Sequence, residues 1–95
     1  MRSRYTAYVL GDEGYLLATW HASTRPAAAK FEPGTKWLGL QLRDHCDVDP
    51  THAQVEFVAR YRLAGHGAGQ AVRLHERSRF VREGECWYYV DGDLL

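Results

Sequence analysis

The residues best suited to chemistry lie in one short stretch, LHERSRF, from Leu74 to Phe80. Side chains alternate across an extended strand. Leu74, Glu76, Ser78 and Phe80 therefore share one face, and His75, Arg77 and Arg79 share the other. The apolar ends assign the first face to a core, which places a carboxylate and a hydroxyl at its centre. A carboxylate walled in by Leu74, Phe80 and Tyr89 would have a raised pKa and could accept a hydrogen bond or act as a general base; a nearby arginine would lower it. The structural alternative is a buried ion pair. Arg4 or Arg2 would supply the charge, Ser78 would complete the network, and breaking it would cost about 3–5 kcal/mol.

His21, in TWHAST, is the second candidate. Its ordinary pKa of about 6.5 suits proton transfer, and beside Glu76 it would form an acid–base pair. Otherwise it is a helix-terminal histidine bonded to the last carbonyls. His45, Cys46, Asp47, Asp49 and His52, in DHCDVDPTH, are all metal-ligand types. Their spacing fits no closed tetrahedral site, so the segment reads as a solvated loop and no metal or other cofactor is expected. Cys46 and Cys86 have no evident activating partner. Two cysteines are also too few for a disulfide framework, which fits a reducing cytoplasm.

The outward residues pose a separate question. Arg60 and Arg62 would lie near Arg73, Arg77 and Arg79 if GHGAG (65–69) closes a hairpin. Such a basic patch beside Tyr88 could bind phosphates or single-stranded nucleic acid. Twelve basic and twelve acidic residues cancel, however. With no global field to attract a polyanion, a solvated face balanced by Glu56 and Glu83 is the preferred reading.

These residues need elements to hold them. Ninety-five residues make one domain, spanning 1–95, with a modest core. No apolar run reaches the roughly 18–20 residues of a membrane span, and the N-terminus lacks the pattern of a signal peptide. Met1, Tyr5, Tyr8 and Val9 recur at helical spacing, Gly11 reads as a C-cap, and Asp12 as the N-cap of a second helix with Leu16, Leu17 and Trp20 inward. STRPAAAK (23–30) predicts a third helix.

Four strands follow, at 35–43, 52–64, 70–83 and 86–92. Leu38, Leu40 and Leu42 share a face of the first. Gly84-Glu85 reads as a two-residue hairpin of type II′. That turn pairs Glu83 with Cys86, Phe80 with Tyr89, and Ser78 with Asp91. Cross-strand partners share a face, so Tyr89 and Asp91 join Glu76 and Ser78. Helices before a meander of long strands predict an α+β fold, with helices packed on a strongly bent four-stranded antiparallel sheet that closes into a cone. KWLGL and WYYV supply core aromatics; an exposed tryptophan would instead mark a homodimer or protein interface.

MRSRYTAY, YLLATWHASTRP, KWLGL, VEFVARY, HERSRF and WYYVDG occur in this order across nearly the whole chain. Together they resemble the central domain of the bacterial YchJ family, and that resemblance implies a cone fold similar to nuclear transport factor 2. Typical members flank this domain with cysteine-rich SEC-C motifs that bind zinc. This chain starts at MRSRY and ends just after WYYVDG, so zinc binding is not carried over. The family has no established activity. The expectation is a cytoplasmic, non-catalytic accessory or interaction module with a small cavity. The alternative is a small-molecule or acid–base pocket around Glu76, with Ser78, Tyr89, Asp91, His21 and Arg4 about the ligand. Nucleic-acid binding through the outer arginines ranks last.

Overall fold

A computed structural model describes residues 1–29, 31, 35–62 and 71–95. Two short helices, α1 (Arg2–Leu10) and α2 (Glu13–Ala18), precede four strands: β1 (Lys36–Asp49), β2 (His52–Arg62), β3 (Ala71–Glu83) and β4 (Cys86–Leu94). The strands form one antiparallel sheet in the order β1-β2-β3-β4. This is the α+β architecture expected. The turn expected at 65–69 lies outside the described residues.

The helices meet without a loop. Gly11 adopts φ 68°, which a glycine reaches without the Cβ clash other residues suffer. Asp12 N–H then donates to Ala7 O (2.8 Å) and Gly11 N–H to Tyr8 O (3.3 Å), closing α1 in a Schellman pairing. Asp12 at once caps α2: its Oδ1 accepts from Tyr15 N–H at 3.0 Å. The face that α1 buries carries Arg4 and Ala7 rather than an apolar stripe, and Val9 is exposed. Burying an arginine is costly, and its partners, described below, compensate. Leu16 of α2 is fully buried.

No third helix forms over the described part of 23–30. Ala22–Thr24 is a turn, and 25–29 is irregular. The reason is a competing bond. Tyr89 N–H donates to Thr19 O (2.8 Å) and His21 N–H to Tyr89 O (2.7 Å), a parallel bridge between Trp20 and Tyr89. Alanine propensity is weak beside such tertiary pairing. The bridge also covers part of the β4 edge, which would otherwise be open to another strand.

Four register shifts interrupt the ladders, three between β1 and β2 and one between β3 and β4, and two of them bear on the site. β1 slips register between Trp37 and Gly39, so Trp37 opposes Tyr61 and Leu40 opposes Ala59. Trp37 thereby joins the inner face with Leu40 and Leu42, while Leu38 is left 41% exposed. In β4 the turn pairs Glu83 with Cys86 and Phe80 with Tyr89 as expected, but the next pairs are Arg79 with Asp91 and Ser78 with Gly92. One extra residue, Val90, bulges from the ladder, and everything beyond it changes face. β1 also continues to Asp49, so DHCDVD is strand and only Pro50-Thr51 turns. The core comprises Ala7, Leu16, Ala53, Phe57, Val58, Ala59 and Phe80.

Candidate functional site

Helix α1 lies across the inner face of the sheet. Tyr5 and Tyr8 stand against Trp37, with ring centroids 5.6 and 5.8 Å apart, and Trp37 stacks on toward Tyr61 at 5.2 Å. Between this aromatic wall and Tyr89 is a pocket of about 190 Å³, floored by Phe57, Ala59 and Leu74. Met1, Arg4, Glu76 and Ser78 bring polar groups to its lining, together with the tyrosines.

Glu76 is half-buried. The Tyr89 hydroxyl donates to its Oε1 at 3.3 Å, and no cation lies within ion-pair distance among the described residues. Burial raises its pKa above the ordinary carboxylate value, opposed by the Tyr89 bond and the more distant charges of Arg4 and Arg79. Burial likewise raises the Tyr89 hydroxyl, and the adjacent carboxylate adds to that. Ser78 is fully buried, and its Oγ has no hydrogen-bond partner among the described residues. Such a group ordinarily costs about 1–3 kcal/mol.

Arg4, the suspected counter-ion of Glu76, is committed elsewhere. Its Nη1 donates to Leu16 O (3.0 Å) and Thr19 Oγ1 (2.6 Å). Its guanidinium lies 4.7 Å from the Tyr89 ring centroid and 5.1 Å from that of Trp20, where ring quadrupoles offset lost hydration. Burial lowers its pKa, and the neighbouring tyrosines resist that.

The remaining candidates separate from this group. Asp91 faces outward because of the Val90 bulge, and its Oδ1 accepts from Arg79 Nε at 2.6 Å. His21 sits against Tyr88, with Nε2 2.7 Å from Glu83 and Nδ1 2.6 Å from Ser23 Oγ. It therefore does not form the acid–base pair with Glu76. His45 pairs with Asp47 (3.0 Å) and His52 with Asp49 (2.9 Å). Among the described residues, no three His, Cys, Asp or Glu side chains gather about a common point.

The outer patch is largely neutralised. Arg77 bonds Glu56 at 2.7 Å, alongside His75 at 2.8 Å, and these two donors hold the Glu56 carboxyl below its usual range. Arg79 bridges Asp91 and Asp93, which raises its own pKa. Arg60, Arg62 and Arg73 are exposed, with Arg60 directly opposite Arg73.

Two residues that sequence reasoning did not place in the site prove central to it. Trp37 forms a wall only through the β1 register slip. Gly92 provides the seat for Glu76: a Cβ there would fall 2.8 Å from Glu76 Cδ and 3.0 Å from Cγ, and would collide with Oε1. A glycine inside a strand, as in VDGD, is the available signal for such a close approach.

The comparisons agree with this architecture. Residues 1–92 match the family described as YchJ, middle NTF2-like domain. A UPF0225 protein of Polaromonas naphthalenivorans is 68% identical over 93 residues, covering 98% of this chain and 65% of the relative. One from Cupriavidus metallidurans is 58% identical over 100 residues, covering 99% of this chain and 68% of the relative. Among solved structures, a SEC-C motif containing protein from Rhodopseudomonas palustris aligns over 100% of this chain and 75% of its own, with TM-score 0.83 and 30% identity. The chain thus spans about two thirds of the curated relatives' length.

Proposed function

The chain belongs to the YchJ family, whose middle NTF2-like domain it matches, and from that premise we propose that it is an accessory binding module that holds a small molecule on its inner face at Glu76. One observation carries the reading: a half-buried carboxylate without a cation and a fully buried hydroxyl without a partner line the same pocket. Folded proteins ordinarily satisfy buried polar groups, and unpaired ones at one place point to a ligand or water that completes them. The volume limits the ligand. About 190 Å³ exceeds the roughly 150 Å³ that admits benzene but falls below the roughly 300 Å³ where drug-sized sites begin. A molecule of about one ring in size fits.

The proposal is binding rather than turnover. The histidine that would have relayed a proton is occupied by Glu83 and Ser23. Arg4 holds helix to helix and helix to sheet rather than Glu76. The test is an NMR fragment screen on the chain and on Glu76→Gln. Fragments of ring size should shift the Ser78 and Tyr89 resonances, and Glu76→Gln should weaken them at least tenfold while the variant remains folded. A screen in which every fragment perturbs the two proteins alike would defeat the reading.

A further inference from the structure

Two opposite charges line this pocket without joining each other. Glu76 and Arg4 form no ion pair, yet Tyr89 touches both: its hydroxyl is 3.3 Å from Glu76 Oε1 and its ring centroid 4.7 Å from the Arg4 guanidinium. Tyr89 therefore stands between them, its hydroxyl on Glu76 and its ring face on Arg4. Arg4 Nη1 donates to Leu16 O and Thr19 Oγ1, and the Tyr8 side chain also bonds the guanidinium; none of these partners is a carboxylate, so the Arg4 charge has no counter-ion among the described residues. Ser78 Oγ, unpartnered among the described residues, lines the same pocket as Glu76.

We propose that the ligand is a small zwitterion, with an ammonium group held by Glu76 and Ser78 Oγ and a carboxylate held by Arg4, separated by a short apolar spacer. This rests on the binding-pocket reading above and names its chemical class. An ammonium has three donors. Glu76 Oε2 and Ser78 Oγ accept two of them, and Tyr5, Tyr8 and Trp37 line the same pocket. A cation alone would be repelled by Arg4, and an anion alone by Glu76 when ionised. A molecule bearing both charges pairs each, and charge-assisted bonds are the strong ones in a partly desolvated site. The aromatic and aliphatic lining between the two ends suits a spacer of a few methylenes.

An isosteric series tests the class: 4-aminobutanoate, butylamine, butanoate and 1-butanol, each titrated into the chain with Ser78 and Tyr89 observed by NMR. The zwitterion should bind about tenfold or more tightly than the other three, the size expected when one charge-assisted contact is lost. In Glu76→Gln the zwitterion should fall to the affinity of butanoate, while butanoate binds no more weakly than before. If 1-butanol or a singly charged member binds the pocket as well as the zwitterion, the charge-pair assignment is overturned and the pocket reading survives. If the zwitterion binds without moving Ser78 or Tyr89, or if none of the four binds while uncharged ring-sized fragments do, the assignment is again overturned. If no probe and no fragment reaches the pocket, both fall.

Discussion

Along β3, His75, Arg77 and Arg79 on the outer face each meet a carboxylate within 2.8 Å, whereas on the inner face Glu76 meets no cation and Ser78 no partner among the described residues. The same strand, one residue out of phase, has solved its polar pairing on one side and left it open on the other. The outer pairs are solvent-screened and contribute little individually; their role is to cancel charge on a face that would otherwise repel itself. The inner groups lie where every unmade bond costs more. A strand that pairs His75, Arg77 and Arg79 outside while leaving Glu76 without a cation and Ser78 without a partner inside is arranged for something other than stability at that point.

Substitutions can break this contrast. The largest effect is expected from Gly92→Ala, whose methyl would displace the Glu76 side chain. Overpacking of this kind costs about 1–3 kcal/mol, read by chemical denaturation; a variant as stable as the parent would mean that Glu76 has other room. Ser78→Ala is expected to raise stability by about 1 kcal/mol, because it removes an unpaired buried hydroxyl. A loss instead would reveal a partner for Oγ and bring the two faces into line.

Glu76→Gln has an effect whose sign follows pH. The folded state raises the Glu76 pKa above 4.5, so between 4.5 and that raised value the folded chain binds the proton more tightly than the unfolded one. Stability from this group is present below 4.5 and is lost as pH rises through the folded pKa. Denaturation midpoints of Glu76→Gln should therefore gain on the parent as pH rises from below 4.5 through the raised folded value; a gap that narrows would contradict the burial argument. Arg79→Gln should give the smallest change, and added salt should diminish it further. A salt-resistant loss would show that the outer network is structural.

Most of the scaffold could be read from residue patterns, since alternation, Gly11, Asp12 and the Gly84-Glu85 turn are local signals. The face of Asp91 was not legible. It depends on Val90 bulging while Tyr89 is tied to Thr19 and His21, an interaction between segments some 70 residues apart in sequence (roughly, by the strand-to-turn separation that non-local pairing entails). The same tie explains why the alanines of 27–29 did not become helix. DHCDVD reads as a loop because polarity usually marks one, yet an edge strand tolerates charge on both faces. Within the site, Glu76, Ser78, Tyr89 and Arg4 were named from the sequence and do line one pocket. Asp91 and His21 lie outside it, and Arg4 pairs differently from expectation, because its partners are backbone carbonyl, hydroxyl and ring faces rather than a carboxylate.

The Val90 bulge decides which of Asp91 and Gly92 faces Glu76. With the ladder straight, Asp91 would oppose Ser78 on the inner face and Gly92 would turn outward. A second carboxylate would then stand beside Glu76 where now there is an open seat, and two acids in one enclosure share protons and favour dications or metals over organic ligands. Deleting Val90 would straighten the ladder yet keep Asp91 against Arg79 and Gly92 against Ser78, so the open seat beside Glu76 rests on the bulge absorbing the one surplus residue of β4.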